Sequence, residues 1–187
     1  QRRPLTASPS GRAHEHFRPA LDVEGALSSE VAKAVGKAVH QVFENFKLES
    51  GAEEKLLRQR GILREYLAAL LAPELLDRAL GEAHAVLENF GRSPLARRWK
   101  DIARCVLARE LPFVRRGLEE DGPAGAWMGV IDLLYRDPQS GETVVADYKT
   151  DRVASEEEIQ KMAGVYAKQG EIYTLAVQEA LALPRRP

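Results

Sequence analysis

A chain of 187 residues and 20.8 kDa is long enough for one domain with a real core, and 44% hydrophobic against 29% charged residues excludes wholesale disorder. With a formal net charge of −1, any contact with nucleic acid or a membrane surface must come from a local patch. The single cysteine, Cys105, excludes an internal disulfide and a cysteine-ligated zinc or iron–sulfur site, which fits a reducing, intracellular compartment.

Residues 1–28 lack periodicity and carry Pro4, Pro9, Gly11, Pro19 and Gly25, so they read as a leader or linker. The chain opens "QRRPLTASPSGRAH" without an initiator Met and closes "LPRRP", and a piece of a longer polypeptide is expected. From Ser29 the pattern turns helical, with Val31, Val35, Val39, Val42, Phe43 and Phe46 at spacings of three and four. Further helices are expected over about 53–71 and 73–90, and from Pro94 to about 109, with Pro73 and Pro94 at helix starts. "ELPFVRRGLEE" (110–120), "AWMGVIDLLY" (126–135) and "TVVADYKT" (143–150) read as strands, separated by "DGPAG" and by the turn cluster "RDPQSGE". A long helix follows, opened by a capping box of Ser155 and Glu158. No apolar run approaches the roughly 18 residues of a membrane span, and no signal peptide is visible. Helices, a β-meander and a final helix predict an α/β or α+β domain over 29–187.

The meander carries an unusual set of charges. Alternate strand residues share a face, so Thr143, Val145, Asp147 and Lys149 point one way, as do Met128, Val130, Asp132 and Leu134. A turn centred near Gln139 and Ser140 sets Asp132 opposite Asp147, with Cβ atoms about 5 Å apart. Two carboxylates at that range repel, and burial raises the cost. A shared proton, Lys149 or a divalent cation must offset it. An exposed salt-bridged D-x-K is the alternative, against which stand the apolar flanks of Asp147 and the enclosure of Asp132 in "GVIDLLY". A hard cation held by one or two carboxylates, with Lys149 beside it, suits phosphodiester cleavage.

"GVIDLLYRDPQSGETVVADYKTD" resembles the nuclease motif of the PD-(D/E)XK superfamily, and more narrowly the RecB/AddA-type nuclease domain at the C-terminus of bacterial UvrD-family DNA helicases. The resemblance implies a restriction-endonuclease-like core, a mixed β-sheet flanked by helices with a helical N-terminal part. It implies Asp132 and Asp147 as metal-binding carboxylates, Lys149 as the catalytic lysine and the Tyr148 carbonyl as a further ligand of Mg²⁺ or Mn²⁺. Ile131 stands where the family often has Pro. "VGKAVHQVFENF" is similar to the family's G-x-x-x-H helix, which makes His40 a candidate ligand; a boundary histidine is the plainer reading. "YAKQGEIY" is similar to its Y-x-x-Q-x-x-x-Y helix, whose Gln169 and Tyr173 are expected to line the site and touch lysine, water or DNA, while Tyr166 also reads as core. Glu110 stands where relatives often have an acid before the first strand; a surface carboxylate is the alternative.

Arg92, Arg97, Arg98, Lys100, Arg104, Arg109, Arg115 and Arg116 surround Trp99, a set that can track phosphates and stack a base, or equally form a solvated face diluted by Asp101, Glu110, Glu119 and Glu120. Lys33, Lys37 and Lys47 lie on the His40 side of their helix. The resemblance thus implies a metal-dependent deoxyribonuclease of the bacterial cytoplasm, acting on DNA, in single-stranded form, delivered by a helicase motor in cis or in a complex. A catalytically silent DNA-binding or scaffolding module is the alternative, and a carboxylate-pair glycosidase is a weaker third reading because Lys149 adjoins the pair and no aromatic-rich sugar cleft is evident.

Overall fold

The computed structural model describes residues 6–9, 29–45, 60–117, 125–151, 153 and 155–187, which form two compact units. The expected features at 53–59, the "DGPAG" turn, Phe46, Lys47, Glu119 and Glu120 lie wholly or mainly outside the described residues.

The first unit is helical and also takes in Tyr148–Thr150. It contains α1 (Ser29–Asn45), α2 (Arg60–Ala68), α3 (Pro73–Arg92) and α4 (Pro94–Ala103). Helix α1 buries Val31, Ala34, Val35, Ala38, Val39, Val42 and Phe43, the i, i+3, i+4, i+7 stripe anticipated from the sequence. It packs against α2 and α3, whose buried residues include Leu63, Leu67, Ala79, Ala83 and Leu87. Each fully buried large aliphatic side chain contributes about 1.5–3 kcal/mol. Pro73 and Pro94 begin helices as expected, and the Ser93 hydroxyl caps α4 by accepting from the Ala96 amide at 3.1 Å. Helix α4 stops at Ala103, short of the expected 109, because the next strand begins at Val106.

The second unit holds a four-stranded mixed sheet and one long helix. The strands are β1 (Thr6–Ala7), β2 (Val106–Arg116), β3 (Ala126–Arg136) and β4 (Thr143–Ala146); the helix is α5 (Glu156–Ala180). Strand β3 is central. It neighbours β2, runs parallel to β1 through Thr6↔Ala126 and Ala7↔Trp127, and pairs antiparallel with β4 from Leu133↔Ala146 to Arg136↔Thr143. Three expectations are corrected. Thr6 and Ala7, inside the expected leader, form a strand; a two-residue strand is too short to show periodicity. Strand β2 covers 106–116 rather than 110–120. Strand β4 ends at Ala146, so residues 147–150 are not in regular secondary structure.

Helix α5 begins at Ser155, whose hydroxyl accepts from the Glu158 amide at 3.2 Å. It buries Gln169, Ile172, Tyr173, Ala176 and Val177, whereas Ile159, expected on the same stripe, is exposed. Tyr173 and Val177 pack on Ile131 and Leu134, with Phe113 and Val145 at the margin. Gly129 makes room for this contact: a Cβ there would lie 2.9 Å from Phe113 Cε1 and 3.5 Å from Tyr173 Cε1, where the two rings meet edge-on at 5.3 Å. These elements make a mixed α/β architecture, in line with the restriction-endonuclease-like core that the resemblance implies. No described helix is long and apolar enough to cross a membrane.

Candidate active site

The β3–β4 hairpin sets the first pair of acids. Asp137 Oδ1 accepts from the backbone amides of Gln139 at 2.7 Å and Ser140 at 3.1 Å, and Gly141 takes φ +73°, so the loop closes with its centre between Gln139 and Ser140. The next pair after Leu133↔Ala146 in this register is Asp132 and Asp147, one step past the end of β4. Asp132 is only 7% exposed, on a strand whose neighbours Ile131 and Leu133 are fully buried. Asp147 is half-buried.

Helix α5 reaches Asp147 directly. Gln169, 3% exposed, donates through Nε2 to Asp147 Oδ1 at 3.1 Å and to the Tyr173 hydroxyl at 3.0 Å. A buried amide needs such partners, and this one orients the carboxylate without adding a charge. Gln169 thus links Asp147 to Tyr173, two contacts beyond those expected from the sequence. One turn earlier, the Tyr166 hydroxyl donates to Asp151 Oδ2 at 2.8 Å. Partial burial pushes the Tyr166 pKa well up, aided by this hydrogen bond and by the charges of Asp151 and Asp147.

Glu110 lies within β2 rather than before it, with a carboxylate oxygen within 4.8 Å of one on Asp132. Its φ of +44° is the left-handed region, which costs a non-glycine residue roughly 1–2 kcal/mol. Such strain persists only where the surroundings hold it. An acid in the run "ARELPF" carries no signal of this backbone geometry, and the sequence offered Glu110 as a supporting acid of the site or a helix-end or surface carboxylate.

In the helical unit, His40 Nε2 lies 3.0 Å from the Tyr148 carbonyl oxygen. The Tyr148 ring packs at 4.8 Å from Phe43, 5.8 Å from His40 and 6.0 Å from Trp99. Lys149 is exposed, beyond the ladder of β4, so strand alternation does not fix its direction as the sequence reading assumed.

The basic segment divides. Arg97, Arg98, Lys100, Arg104 and Arg116 are exposed, as are Lys33 and Lys37. Trp99 is not available to stack a base: it is 2% exposed and packs on Phe43 and Phe90. Arg115 is also withdrawn, buried and paired with Glu179 at 3.0 Å, and Arg92 approaches Glu88 at 3.5 Å. Charge spacing in the sequence did not reveal which side of the helix the core would claim.

A family model described as the PD-(D/E)XK nuclease superfamily matches residues 13–186. A subunit of the ATP-dependent helicase/nuclease of Lysinibacillus sphaericus (strain C3-41) is 32% identical over 128 residues, covering 65% of this chain and 10% of that protein. The chain thus spans about a tenth of the length of that curated relative. With the family match running through both acids, the hairpin and α5, the chain belongs to the PD-(D/E)XK nuclease superfamily.

Proposed function

We propose that the domain is a metal-dependent deoxyribonuclease, hydrolysing phosphodiester bonds in single-stranded DNA during end processing and recombinational repair. The reading is supported by the Leu133↔Ala146 register, whose next step is Asp132 and Asp147, and by the Gln169 hydrogen bond to one oxygen of Asp147. By the family's motifs, Asp132, Asp147, His40 and the Tyr148 carbonyl would hold the ion. The donor chemistry fits. Carboxylate, carbonyl and imidazole suit Mg²⁺ or Mn²⁺. When bound, the ion polarises the phosphate and lowers the pKa of the attacking water.

The remaining roles belong to the protein. Water attacks phosphorus and gives up a proton to solvent, the P–O bond to the leaving oxygen breaks, that oxygen takes up a proton from solvent, and negative charge grows on the phosphoryl oxygens in between. Lys149 stabilises that charge or orients the water. Gln169 and Tyr173 hold Asp147 in its ligating orientation. The exposed Arg97, Arg98, Lys100 and Arg104 supply phosphate contacts along the strand. The helicase half of the relative's name supports a motor that delivers the strand, in the same polypeptide or a complex, in the bacterial cytoplasm.

The test is divalent-ion dependence. Cleavage of a labelled single-stranded oligonucleotide should stop on addition of EDTA and return with excess Mg²⁺ or Mn²⁺. Calorimetry should show Mn²⁺ binding to the wild type that Asp132→Ala abolishes. Cleavage that persists in EDTA would contradict the proposal.

A further inference from the structure

Tyr148, Lys149 and Thr150 follow Asp147 in the chain but cluster with the helical unit. Two points on one face of α1 meet them. His40 approaches the Tyr148 carbonyl at 3.0 Å, and Gly36, one turn earlier, faces Thr150. A Cβ at Gly36 would lie 3.2 Å from Thr150 Oγ1, tighter than an ordinary contact. The spacings match: four helical residues rise about 6 Å, and two extended residues cover about 6.6 Å. The segment therefore runs along α1 in the opposite direction, one contact per helical turn. Tyr148 and Thr150 are half-buried while Lys149 between them is exposed, the alternation expected of an extended segment held by one side. The Tyr148 ring, edge-on to His40 and tilted on Phe43, holds the other end.

We propose that Gly36 is a positioning residue: its missing side chain seats the Thr150 hydroxyl, which with the His40–Tyr148 contact fixes the tripeptide backbone and so the direction of Lys149. The inference rests on the proposed role of Lys149 in cleavage. It also accounts for a glycine inside α1, where alanine is the better helix former.

The experiment compares wild type, Gly36→Ala, Thr150→Ala and the double variant, each in the full 187-residue chain. In Gly36→Ala the backbone amide resonances of Tyr148–Thr150 should shift. Its kcat should fall about tenfold, with KM for the oligonucleotide changed by less than about twofold, the scale of a small misplacement in an oriented site. Its Tm should not drop, because the substitution favours the helix. In the Thr150→Ala background, adding Gly36→Ala should cost nothing further, since the hydroxyl it would meet is gone. Unmoved resonances, a wild-type kcat or an equal penalty in both backgrounds would overturn the inference. A wild type inert toward DNA with Mg²⁺ would instead overturn the proposed function, and the amide resonances would then decide whether Gly36 seats the tripeptide.

Discussion

Gln169 shows how one amide can organise a site. Its Nε2 donates to Asp147 and to the Tyr173 hydroxyl from within a largely apolar stripe. Replacing it by Leu keeps the packing but removes both bonds, and should lower ion affinity or kcat about 10- to 100-fold, read by Mn²⁺ titration and single-turnover cleavage. Gln169 was legible in the sequence because a polar residue on a buried helical face needs a partner. Asp151 was not, since its link to Tyr166 crosses fifteen positions from an irregular segment to a helix. That link has a pH signature. The folded state raises the Tyr166 pKa above the unfolded value of about 10. The neutral hydroxyl therefore contributes stability below about pH 10 that is lost as pH rises further. Tyr166→Phe should have a shallower loss of stability on the alkaline side than wild type, measured by urea unfolding across that range. Identical slopes would show that the Tyr166–Asp151 bond does not act in this way.

At the scale of elements, the β3–β4 hairpin, which carries Asp132 and leads into Asp147, was the most readable part. The turn residues Asp137 and Gly141 set the loop, and the loop sets which residues face each other. The ends of elements were less readable, because tertiary pairing decides them. Strand β4 stops at Ala146 although "DYKT" continues its β-rich composition; Asp147 stays with the sheet, and Tyr148–Thr150 instead join the helical unit. Likewise β1 exists only through its pairing with β3. At Gly129, on β3, an added Cβ would meet the Phe113 ring of β2 at 2.9 Å. Gly129→Ala should destabilise the protein by about 1–3 kcal/mol, the cost of overpacking, seen as a lower denaturation midpoint at unchanged m-value. An unchanged midpoint would mean that Phe113 swings aside freely.

For the whole molecule, ligand linkage ties the proposed chemistry to stability. An ion that binds only the folded state at 100 times its Kd adds about 2.7 kcal/mol. Mg²⁺ or Mn²⁺ should therefore raise the Tm of the wild type in a thermal shift assay and leave Asp132→Ala unmoved. The mixed α/β order and the β3–β4 register were readable because strand alternation and turn chemistry are local; the burial of Trp99 and the backbone turn at Glu110 depend on packing that no local pattern encodes. The most direct measurement is cleavage of single-stranded DNA in Mg²⁺ by wild type and Asp147→Ala. The account predicts metal-dependent cleavage by the wild type and, for the variant, loss of activity by at least about 100-fold with a retained fold. Equal cleavage by the two proteins would contradict it.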